Sequence, residues 1–144
     1  MAAESSASTV WEGNLTRGGG RTTPGSGAFG EVEVTWASRT SRSAGKTSPE
    51  ELLAAAHAAC YCMALSNVLD EGGNAPERLE ATATVTFDPE GPAVTTSHIV
   101  VSGRVPGIDQ AAFEEAARAA GDGCPISGAI KGNVDISVDA TLES

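Results

Sequence analysis

Ser48-Pro49-Glu50-Glu51-Leu52-Leu53-Ala54-Ala55-Ala56-His57-Ala58-Ala59-Cys60 is the stretch on which the fold turns. Ser48 suits an N-cap, Pro49 the first helical position, and Glu51 completes a capping box. The spacing predicts a long helix from Pro49 to about Glu71, where Gly72-Gly73 stops it. Leu53, Ala56, Cys60, Met63, Ala64 and Asn67 recur on one side, and Leu52, Ala55, Ala59 and Cys62 on the other. A helix apolar nearly all round belongs in the middle of a fold. Its alanines let another backbone come close. The apolar-rich run Leu52 to Leu65 contains His57 and is read as too short to span a bilayer.

Outward from this helix the pattern changes period. Val10-Trp11-Glu12 and Glu31 to Trp36 alternate as strands do, with Val32, Val34 and Trp36 on one face. Gly18-Gly19-Gly20-Arg21 and Pro24-Gly25-Ser26-Gly27 read as a turn-rich connection between them. Ser41 to Ser48 is a polar loop. Beyond the helix, Leu79 to Asp88 and Val94 to Val105 alternate as two long strands joined through Pro89-Glu90-Gly91-Pro92. Asp109 caps a second helix with Ala112, Phe113, Ala116 and Ala119/Ala120 as its stripe. A short helix follows from Pro125 to about Lys131, then a last strand from Val134 to Leu142. The order predicts an α+β fold with mostly antiparallel pairing, in one domain over residues 1–144.

Composition narrows the function. The chain has 144 residues, 40% of them hydrophobic and only 4% aromatic. A core so poor in rings packs small residues closely or shares apolar surface with a second subunit. A formal net charge of −10 speaks against nucleic-acid backbones and anionic membrane surfaces as partners. The segment Met1 to Val10 lacks Lys and Arg and has no hydrophobic core after it, which is unlike a signal peptide. The expected location is the cytoplasm, where Cys60, Cys62 and Cys124 rest as thiols.

The cysteines sit in different surroundings. Cys60 lies mid-helix, and Cys62 is about 200° around the helix from it, so the two cannot pair. Cys124, in Gly123-Cys124-Pro125, precedes a helix whose dipole and free N–H groups favour a thiolate. His57 is one turn before Cys60. His98 lies in a strand with no partner visible in the sequence and is read as surface. Glu50 in the first turn is a helix-dipole partner on its own, and Arg39 precedes a polar loop. No cofactor or metal motif is present in the sequence.

The run ending in Ala58-Ala59-Cys60, with Glu50 ten residues earlier, resembles the central helix of the osmotically inducible protein C (OsmC) family, relatives of the organic hydroperoxide resistance (Ohr) proteins. Gly123-Cys124-Pro125-Ile126-Ser127 resembles the second cysteine motif of that family. Val105-Pro106-Gly107-Ile108-Asp109 and Trp11-Glu12-Gly13 with Arg17-Gly18 are similar to its OsmC branch, so the likeness covers nearly the whole chain. The resemblance implies antiparallel sheets wrapped around a long buried helix in an intertwined homodimer. It implies a thiol peroxidase that reduces organic hydroperoxides with electrons from a dithiol such as a lipoyl-protein, in oxidative or osmotic stress defence. By the same resemblance Cys60 attacks the peroxide and Cys124 resolves it. Glu50 holds an activating arginine, for which Arg39 is the nearest match and Arg42 a competitor. Cys62 inherits no role.

The chemistry fits that assignment. A thiolate attacks a peroxide oxygen and becomes a sulfenic acid, which a second thiol condenses to a disulfide. A guanidinium stays charged and can hold the thiolate, and a carboxylate fixes the guanidinium in a bidentate pair. The alternative class is a redox sensor or small-ligand carrier on the same fold, which has no need of both thiols. One tension stands: helix-end electrostatics favour Cys124 as the thiolate, whereas the resemblance gives the attack to Cys60. A straight helix also sets Glu50 and Cys60 about 15 Å apart along its axis. If both serve one site, they come from different subunits.

Overall fold

The computed structural model describes residues 1–42 and 45–143. The chain forms two compact units, Met1–Leu52 and Leu53–Ser144.

In the first unit, strands β1 (Ala7–Glu12), β2 (Gly19–Pro24) and β3 (Val32–Val34) form an antiparallel sheet in that order. Of the connection expected to be turn-rich, Gly19 to Pro24 is in fact the middle strand, while Pro24 to Gly27 does turn, the Gly27 N–H donating to the Pro24 carbonyl at 3.2 Å. Gly20 pairs with Trp11 on one side and Val34 on the other. A Cβ there would stand 2.8 Å from the Trp11 ring and 2.9 Å from the Val34 side chain. Glycine in this strand marks a close approach, not a turn. The third strand also ends earlier than its alternation suggested. Thr35 accepts from the Ser38 N–H at 3.0 Å while its own N–H donates to the Ser38 hydroxyl at 2.9 Å. That capping box makes Trp36 the first residue of a short helix, α1 (Trp36–Thr40). In the loop after it, Arg42 has φ 61°. The stretch of that loop at 43–44 lies outside the described residues.

The central helix α2 (Pro49–Glu71) has the bounds its caps foretold. Ser48 accepts from the Glu51 N–H at 3.0 Å, but Glu51 completes no box. Its carboxylate takes the Thr47 hydroxyl at 2.6 Å.

In the second unit, α2 is followed by β4 (Arg78–Asp88), β5 (Ala93–Arg104), α3 (Gln110–Gly123), α4 (Pro125–Ile130) and β6 (Asp135–Leu142). β4 and β5 are an antiparallel hairpin running from Arg78 opposite Arg104 to Asp88 opposite Ala93. β6 lies parallel to β5 on its other edge. The two short helices make the crossover that a parallel neighbour requires. The sheets are thus not all antiparallel.

One side of α2 builds the core. His57, Tyr61, Leu65 and Leu69, spaced by four, are buried with Ile99, Val101, Val105 and Phe113. The Tyr61 hydroxyl donates to the Ala117 carbonyl at 2.7 Å. The apolar stripe of α3 is Phe113, Ala117 and Ala120, while Ala112 and Ala119 are exposed. It is rotated from the stripe read in the sequence because Phe113 sets which face turns inward. Gly103 lets Phe113 in: a Cβ there would stand 2.7 Å from the ring and 2.9 Å from Leu79. Gly103→Ala is therefore expected to cost about 1–3 kcal/mol by overpacking, read as a lower denaturation midpoint.

The other side of α2 is not buried in this chain. Ala55, Ala56 and Ala59 are exposed, and Met63 is 73% exposed. By length and composition the whole helix is apolar enough to cross a membrane, which the shorter run Leu52–Leu65 did not suggest. Its hydrogen-bonded His57 and Tyr61 instead tie it into the core of the second unit.

Candidate active site

The candidate residues form two groups, one in each unit. In the second unit, α2 carries Cys60 and the turn between α3 and α4 carries Cys124. Their sulfurs are 3.2 Å apart. A disulfide needs about 2.05 Å, so little more than ~1 Å must close. Cys60 is half-buried, and Cys124 is 1% exposed.

Their acidities diverge. Burial pushes the Cys60 thiol up, the Ile126 N–H works against that, and the neighbouring Cys124 adds to the rise. Burial also raises Cys124. The Ser127 hydroxyl, the N–H groups of Ser127 and Ile126, and the Cys60 thiol more than offset it and hold Cys124 below the usual thiol range. Of the two thiols Cys124 is thus the more acidic. The direction agrees with the helix-end argument: the Ile126 and Ser127 N–H groups belong to the first turn of α4, and the Ser127 hydroxyl adds to them.

His57 is fully buried beside them. Its Nδ1 lies 2.7 Å from the Ser97 hydroxyl and its Nε2 2.7 Å from the Ser127 hydroxyl. Burial lowers its affinity for a proton. Ser97 and Ser127 were not singled out in the sequence. The available signal was the Ser127 that closes the Gly-Cys-Pro-Ile-Ser run.

In the first unit, Arg39 from α1 and Glu50 from the first turn of α2 form a bidentate pair. Arg39 Nε meets Oε1 at 2.9 Å and Nη2 meets Oε2 at 3.0 Å. The Glu50 side chain is 8% exposed and that of Arg39 31%. Two parallel charge-assisted hydrogen bonds fix the guanidinium plane. It also stands 6.0 Å from the centre of the Trp36 ring. Arg42 is exposed and makes no such pair among the described residues. An apolar pocket of about 320 Å3 opens beside the guanidinium, with Trp11, Leu15, Val34, Trp36 and Leu52 in its walls.

The other candidates stand elsewhere. Cys62 lines a separate groove with Met63, Asp70 and Arg78, and burial pushes its thiol up. His98, read as a lone surface residue, is partnered: Nδ1 lies 2.6 Å from the Ser137 hydroxyl and Nε2 3.1 Å from Asp139. β6 supplies both partners, and its pairing with β5 was not visible in the sequence.

The family of OsmC-like proteins matches residues 42–139 of this chain. The peroxiredoxin OsmC of Escherichia coli K12 is 38% identical over 136 residues, which are 93% of either chain, and that of Shigella flexneri is equally similar. The fold is shared with the organic hydroperoxide resistance protein OhrB of Bacillus subtilis, with a TM-score of 0.66 at 24% identity, covering 94% of this chain and 98% of that one. It is also shared with an OsmC protein from Legionella pneumophila, with a TM-score of 0.73 at 23% identity, covering 97% and 99%.

Proposed function

The chain belongs to the OsmC family, and from that premise we propose that it is a thiol-dependent peroxidase that reduces organic hydroperoxides to alcohols. The observation that carries the reading is the pair of sulfurs 3.2 Å apart. Names of relatives at 38% identity point to a peroxidase-type enzyme. In the proposed cycle the Cys60 thiolate attacks one peroxide oxygen. The O–O bond breaks, the alcohol leaves after protonation, and Cys60 becomes a sulfenic acid. Cys124 then attacks that sulfur, a disulfide forms and water leaves. A dithiol, such as a lipoyl-protein, returns both cysteines to thiols.

Two considerations favour Cys60 over the more acidic Cys124 as the attacker. The attacking sulfur must meet the substrate, and Cys60 is half-buried where Cys124 is closed off. The resolving sulfur needs to meet only Cys60. The missing acidity of Cys60 has a source in the fixed guanidinium of Arg39. Since ~15 Å of helix separates Glu50 from Cys60, the proposal places the Arg39–Glu50 pair of one subunit against Cys60 of the partner subunit. The exposed face Ala55, Ala56, Ala59 and Met63 is the surface two copies would bury together. The apolar pocket beside Arg39 favours a bulky organic peroxide over hydrogen peroxide.

Two measurements test the proposal. Purified protein with a dithiol is expected to consume cumene hydroperoxide or tert-butyl hydroperoxide catalytically. A sensor or carrier would bind or oxidise once without turnover. The size at low micromolar concentration is expected to be that of a homodimer, and a charge on the exposed face, as in Met63→Glu, is expected to weaken it. A stable monomer with full activity would refute the shared site.

A further inference from the structure

The buried His57 has no part in the cycle as written, yet it is one hydroxyl away from Cys124. Its Nε2 is 2.7 Å from the Ser127 Oγ; Ser127 stands three residues after Cys124, in the first turn of α4, and its hydroxyl favours the ionised form of the Cys124 thiol. Its Nδ1 is 2.7 Å from the Ser97 Oγ. Ser97, His57 and Ser127 are each 4% exposed or less. Histidine buried only for packing needs one partner per nitrogen. Here one of those partners leads on to a reacting sulfur.

We infer that His57 is a positioning residue for disulfide closure, receiving the Cys124 proton through Ser127 as Cys124 attacks the oxidised Cys60. The inference rests on the peroxidase reading above and assigns a residue to its second step.

Two hydrogen-bonding patterns fit the His57–serine distances, and they match the two states of Cys124. With both cysteines thiols, the Cys124 S–H donates to the Cys60 Sγ at 3.2 Å, the Ser127 O–H donates to Nε2, and the Nδ1 N–H donates to the Ser97 Oγ. On ionisation, Ser127 takes the sulfur's proton and passes its own to Nε2. The imidazolium then donates to both hydroxyls, and the Ser127 O–H donates to the thiolate. Every polar group is satisfied in both states, which a dry site requires. Burial keeps the resting imidazole neutral and so able to accept. Cys60 and Tyr61 on α2 stand near this network, with the Tyr61 hydroxyl committed to the Ala117 carbonyl, and Arg118 and Asp122 of α3 and Lys131 after α4 line the pocket that Ser127 borders.

The step balances. The thiolate of Cys124 attacks the sulfur of the Cys60 sulfenic acid, the S–S bond forms, and the S–O bond breaks. The departing hydroxide becomes water with the proton that left Cys124, and His57 returns to neutral. The sum is one thiol and one sulfenic acid giving one disulfide and one water, with no further oxidant.

The test separates the two chemical steps. Protein is mixed rapidly with one equivalent of cumene hydroperoxide. Cys60 sulfenic acid is trapped with a 1,3-diketone, and disulfide is followed by mass. Positioned proton transfer contributes roughly 10²–10⁴-fold in rate, and a thiol that already ionises in part keeps some of that. Ser127→Ala is therefore expected to slow disulfide closure by about tenfold or more, while the sulfenic acid forms at a rate within about twofold of wild type. Ser127→Thr, which keeps the hydroxyl, is expected to restore most of the loss, and His57→Gln to slow closure as Ser127→Ala does. If His57→Gln fails to fold, the serine pair carries the test. In a Cys60→Ser, Cys62→Ser background, the ultraviolet thiolate absorbance of Cys124 at neutral pH is expected to fall on adding Ser127→Ala. Closure at the wild-type rate in Ser127→Ala, with unchanged thiolate absorbance, overturns this inference alone. Wild-type protein that forms neither sulfenic acid nor disulfide overturns the peroxidase reading and this inference with it.

Discussion

Cys60→Ser protein is expected to consume no organic hydroperoxide, whereas Cys124→Ser protein is expected to react once and then stop. The difference follows from the two roles. Without Cys60 no sulfenic acid forms on the accessible sulfur. Without Cys124 the attack still proceeds, but the sulfenic acid has no thiol 3.2 Å away to close on. Excess peroxide then drives it to the sulfinic state, and an added small thiol recovers part of the turnover. Cys62→Ser is expected to match wild type, because Cys62 lines a groove apart from the sulfur pair. Turnover assays with a dithiol, and intact mass after each addition of peroxide, check all three variants.

The second large effect concerns the arginine and its carboxylate. Glu50→Ala frees the guanidinium from both of its charge-assisted hydrogen bonds at 2.9 and 3.0 Å. Losing one oriented electrostatic group costs roughly 10²–10³-fold in comparable sites, and a fall of about 100-fold in peroxide turnover is expected. Arg39→Met leaves Glu50 buried without its cation. Because Arg39 itself is nearly a third exposed, the stability cost is expected at about 1–3 kcal/mol, below that of a fully buried pair. Denaturant unfolding measures it. If the pair serves Cys60 of the partner subunit, then mixing inactive Cys60→Ser chains with inactive Glu50→Ala chains restores one complete site per heterodimer. Activity regained on subunit exchange is the expected result. Exchanged heterodimers that stay inactive would place the pair and the sulfur in the same chain, or the pair outside the reaction.

The parts of the fold that were legible are those governed by local chemistry. The limits of α2 follow from Ser48, Pro49 and Gly72-Gly73, and the hairpin β4–β5 from its alternation and its Pro-Gly connection. What failed depended on contacts across the chain. Three glycines in a row read as a turn, yet Gly20 is a strand residue because Trp11 and Val34 leave no room for a side chain. Trp36 continued an alternating pattern, but the Thr35–Ser38 capping box starts a helix there. Alternation in β6 carries no strand direction, so its parallel pairing with β5, and with it the partners of His98, was out of reach. The site divides in the same way. Spacing alone separates Cys60 from Cys62, but it brings neither near Cys124. That juxtaposition was implied by the family resemblance, and the sulfurs do lie together in the second unit. Resemblance likewise ranked Arg39 ahead of Arg42, and Arg39 is the one seated on Glu50. The hydroxyls of Ser97 and Ser127 on His57 needed the tertiary structure.

The central claim is that Cys60 is oxidised first and Cys124 second. Mass spectrometry of protein treated with one equivalent of organic hydroperoxide tests it most directly. The account predicts wild-type protein two hydrogens lighter, with Cys60 and Cys124 linked, and a single added oxygen on Cys60 in Cys124→Ser protein. A single added oxygen on Cys124 in Cys60→Ser protein, with peroxide turnover retained, would contradict it and make the more acidic sulfur the attacking one.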